Sequence, residues 1–223
     1  MKLSNETLTI LKNFASINSG LEFKEGNKLA TMSPTKTVLA KATIADSFPQ
    51  TFCVYDLNEF LSVYSLYKDS EFDFDDVNVI FKSGRNKIKY RKTPKTMIVT
   101  VPEKELNLPS VDVQFTFKDE DFAGVMKSAN VLQLPNVSIE SDGEKIYVSC
   151  FNSTNDSAHT TLTEVAEGNG NKFKAVFNTE NLKMIPGTYD VEISSKGLAL
   201  FTSKDGTLKY WIAVESKSSK FGE

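Results

Sequence analysis

One histidine and two cysteines stand among 223 residues, and each shortage closes off a class of function. Histidine is the side chain whose charge changes nearest neutral pH, and His159 alone leaves little for acid–base catalysis. Its neighbours in Asp156-Ser157-Ala158-His159 are the residue types of a hydrolytic triad. A triad is a spatial constellation, however, and no Gly-x-Ser-x-Gly elbow accompanies them. His159 reads instead as lying on or beside a surface strand. Cys53 and Cys150 have no Cys or His at zinc spacing and make no disulfide framework. They read as buried thiols of a reduced, cytosolic protein. Gly168-x-Gly170 lacks the third glycine of a dinucleotide loop, and no Walker-type Gly-Lys-Ser/Thr occurs. No run approaches the ~18 apolar residues of a membrane span. The start, Met1-Lys2-Leu3-Ser4-Asn5, leads into polar residues rather than a signal-peptide core. No catalytic residue, metal, cofactor or membrane partner is expected.

A large charge of either sign is also missing. The net charge of −3 rules out a simple polycation, although contact with nucleic acid depends on local potential rather than on the sum. Glu71, Asp73, Asp75 and Asp76 suggest a cation site only at first sight. They alternate with Phe72 and Phe74 as the wet face of a strand would, and no glycine supplies the sharp turn of a calcium loop. What is abundant is aromatic bulk. The 16 Phe and 7 Tyr suffice for two modest cores, and the length suits two domains of about 110 residues.

The chain then shows the same unit twice. Val54-Tyr55-Asp56-Leu57-Asn58-Glu59-Phe60-Leu61 is echoed by Val176-Phe177-Asn178-Thr179-Glu180-Asn181-Leu182-Lys183. Each ends a strand on a valine and an aromatic, caps a helix with Asp or Asn, and starts an apolar helical stripe. Three strands follow each. A helix precedes each as well: one from a Ser4 or Asn5 cap to about Asn18, and one over Asp119–Leu132 with Phe122, Val125, Met126, Ala129 and Leu132 on one face. In the first half, Leu21–Phe23 and Lys28–Thr31 are expected to flank a turn at Glu25-Gly26-Asn27. In the second, Ala158–Val165 is expected to be a strand and Ser216–Glu223 a frayed tail. Residues 93–110 carry Pro94, Pro102 and Pro109, so an extended connector is expected there. The reading is an α+β protein with a first domain at 1–93, a connector at 94–110 and a second domain at 111–223.

Positive charge is spread thinly on the helices. Lys12 lies opposite the Leu3/Ile10/Phe14/Ile17 stripe, and Lys127 lies opposite Phe122/Met126/Ala129. Corresponding helices thus each present an outward lysine, which fits a routine solvated face and also a loose, sequence-independent hold on phosphate. Lys183, Lys118 and Lys68 are further candidates for that surface. A denser group, Lys82, Arg85, Lys87, Lys89, Arg91, Lys92 and Lys95, resembles a nucleic-acid patch. Alternation of its middle members with Ile88 and Tyr90 favours a solvated strand or a subunit edge.

Three segments carry a resemblance: Leu11-Lys12-Asn13-Phe14-Ala15-Ser16-Ile17-Asn18-Ser19-Gly20, the 54–61 passage, and Asn181-Leu182-Lys183-Met184-Ile185-Pro186-Gly187-Thr188-Tyr189. In joint order, length and element sequence the chain resembles the DNA polymerase sliding clamps of T-even-type bacteriophages. About Val77 to Val113 shares little beyond strands and a connector. The resemblance implies a head-to-tail homotrimeric ring, with two similar clamp-type domains per chain, helices on the inner face and antiparallel sheets on the outer face. It implies duplex DNA in the bore, faced by Lys12, Lys127 and Lys183, and no enzymatic activity. It implies the replicative polymerase, an ATP-driven loader and late-transcription factors as partners, in the host cytoplasm. By position, Asn86–Lys92 is expected to pair across the subunit interface with Ala158–Val165, which would put Ile88, Tyr90, Thr160 and Leu162 there. Leu106, Leu108 and Pro109 are expected to frame an outer pocket for partner tails. The rival readings are a structural or assembly protein built on a β-rich duplication and, more distantly, a hydrolase using His159.

Overall fold

The structure, a computed structural model, describes residues 1–67, 70–155 and 158–222. The chain divides into two compact units, Met1–Lys104 and Glu105–Glu223. The division falls inside the stretch expected to link two domains.

The first unit opens with helix α1 (Asn5–Ile17). Its N-cap, Ser4, accepts a hydrogen bond from the Thr7 N–H through Oγ. The Asp46 carboxylate in turn accepts from the Ser4 N–H and the Ser4 hydroxyl, each at 2.8 Å. Burial raises the Asp46 pKa, but the bonds from Thr7 and Ser4 outweigh it and hold the carboxyl below its ordinary range. Thr7, Ile10, Leu11, Phe14 and Ala15 form the buried stripe.

Strands β1 (Leu21–Phe23), β2 (Gly26–Met32), β3 (Val38–Phe48) and β4 (Phe52–Val54) follow, then α2 (Leu57–Ser65) and β5 (Glu71–Phe74), β6 (Asn78–Ser83) and β7 (Asn86–Arg91). The expected β1–β2 turn is corrected. β1 pairs antiparallel with β4, and β2 pairs with β3. Gly26 and Asn27 belong to β2, where the register shifts beside Gly26, at φ +99°. Strands β5, β6 and β7 form a meander. The core is aromatic. Phe60 of α2 lies 5.5 Å from Phe23, 6.2 Å from Phe52 and 5.2 Å from Phe81 between ring centroids. Asp56 caps α2 by accepting from the Glu59 N–H at 3.0 Å.

The second unit comprises β8 (Val113–Phe117), α3 (Asp119–Val131), β9 (Asn136–Asp142), β10 (Lys145–Phe151), β11 (Thr161–Glu167), β12 (Lys172–Asn178), β13 (Tyr189–Ser194), β14 (Leu198–Ser203), β15 (Leu208–Ala213) and β16 (Lys220–Phe221). One sheet runs β11-β10-β9-β12-β16. Strands β8, β13, β14 and β15 pair in that order.

Four expectations change here. The helix expected after Asn178 is a 3-10 turn of four residues, Thr179–Leu182. Strand β11 begins at Thr161, so Ala158, His159 and Thr160 precede it. The polar tail is not simply frayed: Phe221 and Lys220 pair with Phe173 and Lys174. Leu132, the C-cap residue of α3, is 37% exposed rather than part of the buried face. Met126 is only half-buried, whereas Phe122, Val125 and Ala129 are buried.

The duplication is visible in matching backbone bonds. Leu57 N–H donates to Ser19 O, as Thr179 N–H donates to Pro135 O. Lys92 N–H donates to Val77 O, as Val214 N–H does to Gly197 O; Thr93 N–H donates to Cys53 O, as Glu215 N–H does to Val176 O. The last pair shifts the strand alignment by one residue. Cys53 rather than Val54 is the counterpart of Val176, and Tyr55, 59% exposed, takes up the extra position.

Candidate nucleic-acid interface and strand edges

Lys12 is exposed on α1 and lines a groove of about 430 Å³ together with Lys2, Asn5, Asn58 and Ser62. Lys127 is exposed on α3, opposite Phe122 and Ala129. Lys183 follows the 3-10 turn and makes an ion pair with Glu180, so its charge is partly neutralised locally. Lys118 is exposed at the α3 N-cap position, while Lys68 lies outside the described residues. Acids crowd the helix starts: Glu6 on α1, Glu59 on α2, and Asp119, Glu120 and Asp121 on α3. The helix dipole favours them there. The helices therefore carry more acid than base, with the acids gathered at their N-termini and Lys12 and Lys127 further along.

Two of the four acids at 71–76 are occupied by the fold itself, while Glu71 and Asp76 are exposed. Asp73 pairs with Lys82 at 3.3 Å, and one Asp75 oxygen accepts from the N–H groups of Val77 and Asn78. Among the described residues, no three His, Cys, Asp or Glu side chains gather as metal ligands would. His159 is exposed. Cys53 and Cys150 are free and buried, and burial pushes both thiols up.

Two strand edges differ in charge. β7 ends the β5-β6-β7 sheet and exposes Lys87, Lys89 and Arg91. Ile88 and Tyr90 are half-buried on its other face. The Tyr90 hydroxyl lies 3.1 Å from both Asp56 O and Glu59 Oε2, and its ring stands edge-on to Phe60 at 5.5 Å. Burial, then the Glu59 carboxylate, raise the phenol pKa. Tyr90 thus ties β7 to the start of α2. β11 ends the other sheet and exposes Leu162 to 64%. Glu164 and Glu167 both reach Lys145, at 2.9 and 2.7 Å, and Thr160 is exposed just before the strand.

The connector is pinned at each end. Lys95 pairs with Glu22 at 2.7 Å, and Asn18 Nδ2 donates to Val99 O at 3.1 Å. A Cβ at Gly20 would come within 2.7 Å of the Ile98 side chain, so glycine is required for that close approach. Asp112 N–H donates to Ile193 O, and its carboxylate accepts from Ser195 N–H at 2.7 Å. Leu106 and Leu108 are half-buried and Pro109 is exposed. Sequence reasoning missed the Glu22–Lys95 pair. The lone glycine after Asn18-Ser19 was the available signal for the Ile98 contact.

Comparison with known proteins covers both units. Residues 4–99 match the family model described as DNA polymerase processivity factor, and residues 114–216 match that of the gp45 sliding clamp, C terminal. The sliding clamp of Vibrio phage KVP40 is 33% identical over 223 residues, covering 97% of this chain and all of that one. The sliding clamp of Escherichia phage RB69 is 34% identical over 228 residues, covering 98% and 99%. Among solved structures, PCNA from Thermococcus kodakaraensis superimposes with a TM-score of 0.70 at 14% identity, covering 96% of this chain and 98% of that one.

Proposed function

The chain belongs to the sliding-clamp family of DNA polymerase processivity factors, and from that premise we propose that three copies close head to tail around duplex DNA and tether the replicative polymerase to it. The protein is not an enzyme. It acts by topology: a closed ring stays on DNA without tight binding, so a few outward lysines are enough, and a strongly basic surface would slow sliding.

The observation that carries the ring is the pair of strand edges of opposite charge. β7 offers Lys87, Lys89 and Arg91, and β11 offers Glu164 and Glu167 beside the exposed Leu162. An edge strand is a ready template for another chain. An interface between two different surfaces of one protein closes into a ring when the rotation permits. In this reading β7 of one copy adds to β11 of the next, and Ile88, Tyr90, Thr160 and Leu162 lie at the seam. Ile88 and Tyr90 stiffen β7 from behind. Domains at 1–93 and 111–223 are the repeated sectors, with Lys12, Lys127 and Lys183 facing DNA. Leu106, Leu108 and Pro109 of the connector receive partner tails, those of the polymerase and of late-transcription factors. An ATP-driven loader opens the ring in the host cytoplasm.

Retention on DNA tests the reading. Protein loaded onto a nicked circle should remain through gel filtration and run off once the circle is linearised. Equal retention on both forms would rule out topological linkage. Light scattering should give the mass of three chains, and Leu162→Glu should reduce it to one while leaving each chain folded.

A further inference from the structure

We propose that the outer edge of β4 is a docking site for a short extended peptide in which a basic residue precedes an aromatic one. The argument comes from the internal repeat. It does not depend on the ring, so its failure would leave the clamp reading untouched.

In the second unit the edge of β12 away from β9 is covered by the chain itself. After Glu215 the chain turns back, Ser219 Oγ accepts from the Val176 N–H at 2.8 Å, and Lys220 and Phe221 pair with Lys174 and Phe173. In the first unit the same edge begins the same way, with Thr93 N–H on Cys53 O. The chain then departs through Pro94 and the 3-10 turn Lys95–Met97 towards Gly20 instead of folding back. A cleft of about 600 Å³ is left along Gln50–Cys53.

That cleft has donors in need of acceptors. Antiparallel pairing points the N–H and C=O of one residue to the same side. The Cys53 carbonyl faces Thr93, so its N–H faces the cleft too, and among the described residues no acceptor meets it. Gln50 Nε2 is buried there without a partner. A buried donor without a partner, as Gln50 Nε2 is, costs free energy that an incoming carbonyl would recover, and the Cys53 N–H is placed to pair with the same segment. Pro49 has no N–H, which limits any added strand to a few residues.

Chemistry selects the occupant. Both lysines of the cleft are engaged: Lys95 with Glu22, and Lys92 with Asp75 O at 2.7 Å. Asp76 is exposed at the rim, which favours a cationic side chain. The half-buried Phe74 ring, with the Lys92 ammonium 5.5 Å from its centroid, supplies a partly covered wall for an aromatic one. The chain's own Lys220-Phe221 is the example of such a segment on the repeated edge.

The probe is a fluorescein-labelled hexapeptide of residues 217–222, Lys-Ser-Ser-Lys-Phe-Gly, titrated with the full-length protein by anisotropy. Saturable binding with a Kd at or below the order of 1 mM is expected. Asp76→Lys should weaken it by about tenfold, one charge pair at a partly solvated rim. N-methylation of the second lysine's amide should weaken it at least as much, because a paired backbone N–H is removed. No saturation by several millimolar would overturn the proposal. So would binding indifferent to Asp76→Lys, which would place the peptide on the β12 edge, or binding indifferent to N-methylation, which would make it a charge effect alone.

Discussion

The two units build the same corner with different material. In the first, the strand β4 leads into a nine-residue helix, α2, whose Leu57, Phe60, Leu61 and Tyr64 close an aromatic core. In the second, β12 leads into a four-residue 3-10 turn, and the chain crosses the corner as a loop at Lys183–Gly187. A helix satisfies its own backbone, whereas a loop across a core does not. Two buried tyrosines make up the difference. Tyr210 accepts from the Ile185 N–H at 3.2 Å, and Tyr189 donates to Ile185 O. Burial pushes both phenols up, keeping them protonated and able to donate. A repeated architecture therefore tolerates loss of a helix where side-chain hydroxyls can take over its hydrogen bonding.

The contrast can be broken most sharply at Phe60. Phe60→Ala should cost about 3–5 kcal/mol by opening a cavity in the first unit. Denaturant unfolding followed in parallel by probes in each unit should show the first melting well before the second. Coincident melting would mean that the units share one cooperative core. Tyr210→Phe attacks the other solution. It leaves the Ile185 N–H unpaired and should cost about 1–3 kcal/mol, with hydrogen exchange at Ile185 accelerating more than at the β9–β12 ladder. A cost near zero would show that the loop needs no partner.

The helix starts differ as well. α1 is anchored by Asp46, a carboxylate from another element, whereas α3 has no side-chain cap at Lys118. Asp46→Asn should cost about 1 kcal/mol at neutral pH. The Asp46 pKa is depressed in the folded protein, so its contribution is complete above the unfolded value of about 4 and lost as pH falls through the lower folded value. Thermal stability of variant and parent should therefore converge as pH falls below about 4, towards the lower folded value. A gap that stays constant would show that charge plays no part. The smallest effect is expected at the lysines. Lys12→Ala and Lys127→Ala should each lower the salt dependence of equilibrium binding to linear DNA by a similar increment, about 0.9 in log–log slope for each phosphate left without its lysine. A large effect from one alone would make the bore lopsided.

Much of this was readable beforehand, for physical reasons. α1, α3 and most strands follow from apolar spacing, and the Asp56 cap from its neighbour Glu59 three residues on. The 3-10 turn was not readable, because Asn178 caps and Leu182 buries as they would in a true helix. The loop that follows in place of further helix is held by Tyr189 and Tyr210, from strands beyond it. β16 was hidden for a related reason: Lys220 and Phe221 pair through backbone, which polar composition does not reveal. At the candidate site, exposure of Lys12 and Lys127 followed from the helical wheel. The ties of Lys183 to Glu180 and of Tyr90 to α2 depend on neighbours that spacing does not specify.

Both cysteines are buried, with thiols held in their unreactive protonated form by that burial. A single cysteine introduced on either strand edge would then be the preferred thiol for a maleimide dye or a nitroxide. The native background need not first be mutated away, so the environment of each strand edge could be followed on the unaltered framework, and the proposed seam tested directly.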